Sequence, residues 1–498
     1  MDATGSLLGG AFRCTNDHGR GTWMSDTNGV KAVPRVCRVA IIGGGPGGLM
    51  TAYQLQQRCT VPFEATIYEA SSRLGGKILT KQFTAMPVAY EAGAAELYDY
   101  SQAGEDPLRD LVEKLGLKAM PMQGTSVVLN DQVLRDVDDV GRVYGDATRQ
   151  ALLAFDERAR QWMSPQEYYD ADWKESNVDP MTSRSFYDEL AQVPDEAARL
   201  YLRTLVHSDL ATEPHRTSAS YGLQNYLMND ASYMRLYTIE GGIERLPQEL
   251  AVRVEAKILL REPVVRVERT QYETLRVISQ RNGKVASDEY DFVVVALPNA
   301  CIPLIDWGGD ALGEAMHRHC VHYDYPAHYL RVSVLFREIF WEQSLLESYT
   351  MLDAFGGCCL YDESSRNGCR SAGVLGWLLA GDAAMVASNL TDEQLITRAM
   401  DSLPTFLQHG RELFVEGQVH RWIGSVNGLP GGSPVMDMES RHIPEPAHPN
   451  LFAVGDYLFD STINGVLDSA DFVAECLTEA IEEHSGSRTP ESMVSTAL

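Results

Sequence analysis

The chain has no Cys-x-x-Cys pair, no repeat, no low-complexity tract and no apolar run long enough to span a bilayer. Each absence closes off a class. The nine cysteines (Cys14, Cys37, Cys59, Cys301, Cys320, Cys358, Cys359, Cys369 and Cys476) are odd in number and scattered. Zinc-ribbon and thioredoxin readings therefore fail, and a mostly reduced, cytoplasmic chain is the simplest account. The most apolar late stretch, residues 374–387, carries Asp382 and is too short to cross a membrane. Residues 1–35 are polar and glycine-rich, without the apolar core of a secretory signal. They read as a flexible arm, and residues 486–498 as a flexible tail. Basic charge is also scarce: 42 Lys and Arg face 69 Asp and Glu, a net charge of −27. Such a surface repels phosphate backbones, so neither nucleic acid nor an anionic membrane is expected as a partner. The 12 histidines show no metal-ligand spacing. His317, His319 and His322 fall near one another but read as solvated or structural, and no metal is expected.

What is present is concentrated near the start. A short apolar strand (Val39, Ala40, Ile41, Ile42) runs into Gly43-Gly44-Gly45-Pro46-Gly47-Gly48. An apolar-periodic helix follows (Leu49, Ala52, Tyr53, Leu55), then a second strand (Ala65, Thr66, Ile67, Tyr68) ending on Glu69. This is the pattern of a dinucleotide-binding βαβ unit. Gly43 permits a tight turn, Gly45 lets the backbone approach a pyrophosphate, and Gly48 lets the helix pack closely on the sheet. Pro46 opens the helix, whose N-terminal amides and dipole favour phosphate. Glu69 lies 69 − 48 = 21 residues past the last glycine, where a carboxylate accepts from a ribose 2′-hydroxyl. A carboxylate there disfavours a 2′-phosphate, so FAD or NAD is expected rather than NADP.

Length fits roughly two to four domains. Residues 36–100 read as the first nucleotide-binding segment. Residues 101–236 read as mostly helical, with helices at 107–115, 147–160 and 185–189. A second nucleotide-binding segment spans 237–302, with a helix at 243–254, a strand-like run over 258–269 and a continuous apolar strand at 291–298, as in a buried parallel sheet. Residues 303–444 carry strands at 330–336 and 373–379, as in a separate antiparallel sheet. Residues 445–485 return to the nucleotide-binding part, with a strand at 451–455 and a helix from about Gly465 to Glu482. The expected class is α/β: a Rossmann-like FAD-binding domain in discontinuous segments, with an inserted α+β substrate domain.

Four blocks resemble one family, the flavin-dependent amine oxidases (monoamine oxidase, polyamine oxidase and L-amino-acid oxidase types). Glu69-Ala70-Ser71-Ser72-Arg73-Leu74-Gly75-Gly76-Lys77 looks like the family's E-A-x-x-R-x-G-G-R. The resemblance gives Ala70, Arg73, Gly76 and Lys77 phosphate and ribose contacts, though lysine lacks the bidentate fork of the usual arginine. Tyr90-Glu91-Ala92-Gly93-Ala94-Ala95-Glu96 is similar to the strip that passes along the flavin ring, so Gly93, Ala94 and Ala95 are expected to line it. In L-amino-acid oxidases that strip ends in an arginine for the substrate carboxylate. Glu96 stands there instead, and would attract an ammonium. Leu451-Phe452-Ala453-Val454-Gly455-Asp456 and Asn464-Gly465-Val466-Leu467-Asp468-Ser469-Ala470 resemble the family's C-terminal block. The resemblance puts Gly455 and Asp456 near the ribityl and pyrophosphate, Gly465, Val466, Leu467 and Ser469 at the flavin, and Val265 against the adenine. Residues 331–341, RVSVLFREIFW, look like the family's K-V-x-x-x-F-x-x-x-F-W, with Arg331 in place of the lysine that serves flavin N5. Arginine keeps the cation but is no base at neutral pH.

The family implies oxidation of a small-molecule amine: hydride leaves the carbon next to nitrogen for flavin N5, an imine forms, and O2 is reduced to hydrogen peroxide. Arg331, Glu96 and Tyr361 are the candidate catalytic residues. No cysteine lies between Ile423 and Ser440, so FAD is expected to be non-covalent. The flanking aromatic pair of many relatives is missing after Trp422, and Val466 stands where an aromatic is common. An L-amino-acid oxidase using another arginine, a desaturase acting on a C–C bond and a non-catalytic FAD-binding protein stay open, as does a homodimer.

Overall fold

The computed structural model describes residues 36–169, 184–367, 371–428, 436–459 and 461–486. The expected arm at 1–35 and the tail beyond 486 lie outside the described residues. A five-stranded parallel sheet runs in the order Ala256–Leu260, Phe63–Glu69, Cys37–Ile42, Phe292–Val295, Leu451–Ala453. Strand periodicity explains its burial. Val39, Ile41, Ile67, Val294 and Phe452 face one core, closed by the helices Pro46–Arg58, Arg245–Arg253 and Ile463–Gly486. Ala40, Ile42, Tyr68, Val293 and Ala453 face another, which they share with Val267 and Val277 of a four-stranded sheet and with Leu312 and Met316 of the helix Asp310–His322. With both faces covered, the central stretches 39–42 and Phe292–Val295 are apolar throughout.

A seven-stranded sheet runs Phe414–Asn427, Pro326–Phe336, Gly373–Ala380, Cys358–Asp362, Tyr349–Leu352, Val127–Leu129, Gln132–Leu134. The helices Asp146–Trp162, Glu196–Leu210 and Ala219–Leu227 pack on the face that carries Tyr349, Met351, Cys359 and Tyr361. The expected antiparallel sheet needs correcting. The hairpin 127–134 turns at Asn130 and Asp131, both at positive φ, and donates two strands to it. Its pairing with Tyr349–Leu352 is parallel, so the sheet is mixed. The run 258–269 holds parts of two strands. It breaks at Arg261 (φ 55°) and Pro263, and its halves join two different sheets.

Candidate functional site

Order in the five-stranded sheet reverses at Cys37–Ile42, so a crevice opens beyond the carboxyl end of that strand. Gly43 leaves the strand at φ +113° and donates its N–H to Tyr68 O at 2.8 Å. A Cβ at Gly48 would stand 2.1 Å from Gly43 O, so only glycine fits there. A Cβ at Gly45 would touch Gly76 Cα at 3.7 Å, and one at Gly76 would stand 3.1 Å from Gly45 Cα, so the two glycine loops approach closely. The helix Pro46–Arg58 has no side-chain cap at Gly45 and no acid in its first turn. Its first amides are thus left for an anion. Glu69 accepts from Gly44 N (2.9 Å) and Ser71 N (2.7 Å), which fixes the glycine turn and leaves lone pairs for a hydroxyl. These features fit a dinucleotide.

The loop after Glu69 is built from its own carbonyls. Ala70 is exposed, and Arg73 donates to Leu74 O (3.0 Å), Ile78 O (3.1 Å) and Gly76 O (2.5 Å). Lys77 donates to Ser425 O at 2.9 Å and pairs with Asp456, so it ties three distant parts of the chain together. At the C-terminal block, Gly455 N donates to Ser469 Oγ at 3.1 Å. His442 Nδ1 donates to Met438 O (2.7 Å), so Nε2 accepts from the Ser469 hydroxyl (3.1 Å). Burial holds His442 neutral, its pKa pushed down to about 4. Ser469 is fully buried and shapes the Gly455 turn. Gly465, Val466 and Leu467 lie in the first turns of Ile463–Gly486, and Val466 Cγ1 lies 3.5 Å from where a Gly47 Cβ would sit. The amino ends of the two helices therefore meet at the crevice. Val265 sits half-buried on the strand Val264–Arg269, just past Glu262, whose N–H bonds Glu69 O at 2.9 Å.

The small-residue strip is held from the seven-stranded sheet by buried charges at alternate positions. Glu91 N donates to Glu363 Oε2 (2.7 Å), Arg331 Nη1 to Gly93 O (3.3 Å) and Arg366 Nη1 to Ala95 O (2.6 Å). Trp422 Nε1 adds a bond to Ala92 O at 2.6 Å, and Ala94 N donates to Lys77 O at 3.2 Å. Arg331 and Glu363 pair at 2.7 Å with side-chain exposures of 1% and 0%. Burial opposes the Arg331 charge, but Glu363 and further acidic neighbours keep its pKa above the ordinary value. Burial likewise pushes Glu91 up to about 7, against the nearby Arg366 charge and the Ile243 N–H. Tyr361 lies under both guanidiniums, 5.0 Å from Arg331 and 5.1 Å from Arg366. Arg331 and Tyr361 thus come together, but both Arg331 Nη groups bond protein, which makes it a residue that positions the strip. Glu363 and Arg366 were missed by sequence reasoning; their only signal is charge directly after an apolar strand.

Glu96, the next residue along the strip, faces a small, part-open cavity. Tyr361, Tyr98 and Asp209 also line it, along with several methionines. Glu96 Oε2 is buried without a hydrogen-bond partner. Asp209, a lone acid near the end of Glu196–Leu210, was likewise not read from the sequence. Among the described residues no group of three or more His, Cys, Asp or Glu is set to hold a metal, and no helix is long and apolar enough to cross a membrane.

A family model described as flavin-containing amine oxidoreductase matches residues 46–478. No curated protein matches. Among solved structures, the fold resembles a putrescine oxidase bound to putrescine (18% identity, TM-score 0.68, 89% of this chain and 100% of that one). It also resembles a cyclohexylamine oxidase from Brevibacterium oxydans IH-35A (18% identity, TM-score 0.68, 90% of this chain and 100% of that one). At these identities the likeness concerns the fold alone.

Proposed function

From the premise that the chain belongs to the flavin-containing amine oxidoreductase family, we propose that it is a cytoplasmic, FAD-dependent amine oxidase acting on a small cationic amine. The observation that carries this reading is the unpartnered Glu96 carboxylate oxygen in a cavity that starts one residue beyond the Gly93–Ala95 strip. No lysine, arginine or histidine is among the described residues lining that cavity. An ammonium is therefore drawn in and a free carboxylate is repelled. FAD, when bound, would accept hydride from the carbon next to nitrogen and pass the electrons to O2, giving imine and hydrogen peroxide.

The chain's own residues have three tasks. Gly43, Gly45, Gly48, Glu69, Gly76, Gly455 and Gly465 form the cradle, and Val265 closes the adenine end. Arg331, Glu363 and Arg366 hold the strip in place, so that the reacting carbon meets a rigid wall. Tyr361, Tyr98 and the methionines exclude water. No group here needs to act as a base, because an amine that arrives neutral at the reacting end loses hydride and not a proton. The absence of cysteine between Ile423 and Ser440 supports non-covalent FAD. An amino-acid oxidase would need an arginine for the carboxylate. Arg366 has free Nε and Nη2 groups but is not among the cavity-lining residues.

Anaerobic mixing of the oxidised holoenzyme with a panel of primary amines and amino acids tests the reading. Bleaching of the flavin by amines is the expected outcome. Bleaching by neutral amino acids with no response to any amine would overturn it.

A further inference from the structure

Resting on the amine reading above, we propose that Glu96 and Asp209 together hold the second, non-reacting ammonium of an aliphatic diamine. The two acids line one cavity, and among its described lining residues no basic side chain compensates them. Glu96 Oε2 is enclosed and accepts no bond. Asp209 has Asn229 Nδ2 at 3.4 Å, a weak partner for a carboxylate. Two half-buried carboxylates on one small cavity repel each other, and a proton or a ligand cation relieves that cost. The chain shows the first of these: burial, with the Glu96 charge adding to it, pushes Asp209 up to about 7 even though Asn229 and Ser208 oppose the shift.

A diamine meets this demand better than a monoamine does. The nitrogen that undergoes oxidation must be uncharged when hydride leaves its carbon, so it gives a carboxylate little. The nitrogen at the far end stays protonated throughout. Between the ends, Met228, Met234, Leu236 and Met351 offer an apolar, adaptable wall for methylenes. The rings of Tyr98, Tyr349 and Tyr361 add negative faces for a cation.

The test compares 1,4-diaminobutane with butylamine on the holoenzyme, using the saturation of anaerobic flavin bleaching to obtain each affinity separately from the rate. The diamine is expected to half-saturate at roughly tenfold lower concentration, the gain of one charge-assisted contact in an enclosed site. In Asp209→Asn that still retains flavin, the preference should shrink to within about threefold. Glu96→Gln serves as a second variant with the same expected loss of preference. Equal affinity for the two amines in the parent chain would overturn the proposal, as would an undiminished preference in Asp209→Asn. Should neither amine bleach the flavin, the oxidase reading fails. The same two compounds titrated calorimetrically into the unreacted holoenzyme then decide the diamine site alone: tighter diamine binding supports it and equal or absent binding refutes it.

Discussion

Replacing Arg331 by methionine removes the cation from a pair that is almost wholly enclosed. Arg331 Nη2 sits 2.7 Å from Glu363 Oε1, and the side chains are 1% and 0% exposed. Glu363 keeps the Glu91 N–H at 2.7 Å, but loses its guanidinium. Its Oε1 lies close over Gly376, where a side chain on that residue would stand 2.3 Å from it. A buried carboxylate stripped of its partner costs about 3–5 kcal/mol. Arg331→Met also removes the bond to Gly93 O, so the strip loosens. For a chain this long, about 1–2 °C of melting temperature corresponds to each kcal/mol, and a fall of about 3–10 °C is expected. Glu363→Gln alone leaves the guanidinium without its counter-ion and should cost a similar amount. The double variant Arg331→Met/Glu363→Gln removes both charges, and its loss should be smaller than the sum by about 2–3 kcal/mol. Calorimetric melting of the four proteins provides the cycle. A melting shift below about 1 °C in Arg331→Met, or a cycle additive within about 0.5 kcal/mol, would refute the claim that this pair holds the strip.

Gly48→Ala places a Cβ 2.1 Å from Gly43 O, so it should cost about 1–3 kcal/mol and abolish flavin retention together; flavin titration and melting of the purified variant check both. Asp209 ionises in the folded chain near pH 7, against an ordinary 3.8. The folded state therefore keeps a proton that the unfolded chain has released, and this contribution to stability is lost as pH rises from about 4 to about 7. Asparagine has no such proton to lose. The melting temperature of Asp209→Asn, relative to the parent, should accordingly rise by a few degrees between pH 5 and pH 8, and a difference that does not change with pH would contradict the burial of Asp209.

The parts legible in the sequence were those written in consecutive residues. The run from Val39 to Glu69 declares its turn, helix and second strand locally, and the sheet of Cys37–Ile42 and its neighbours follows from continuous apolar runs. The family blocks then pointed to Gly93–Ala95 and Gly455–Ser469 as the flavin-facing parts. The hairpin at 127–134 was missed because its strands are three residues each, and its turn signal, Asn130-Asp131, lacks the usual glycine. The strip's supports were missed for a different reason. Glu363 and Arg366 follow a strand whose neighbours look like solvent-facing loop, and only tertiary packing puts those charges against Glu91 and Ala95. Asp209 gave no sign either: one acid near the end of a helix has no pattern until Asn229 and Glu96 are brought beside it from other elements. Arg73 and Lys77 were read as phosphate contacts from the motif, and the structure engages them with loop carbonyls and with Asp456.

Flavin content tests the central claim most directly. Protein purified from cells, or the same protein incubated with FAD and desalted, should be yellow, carry one FAD per chain and release it intact on denaturation. A correctly folded chain that stays colourless and takes up no FAD would contradict the account, because the two helix ends and the glycine turns would then be cradling nothing.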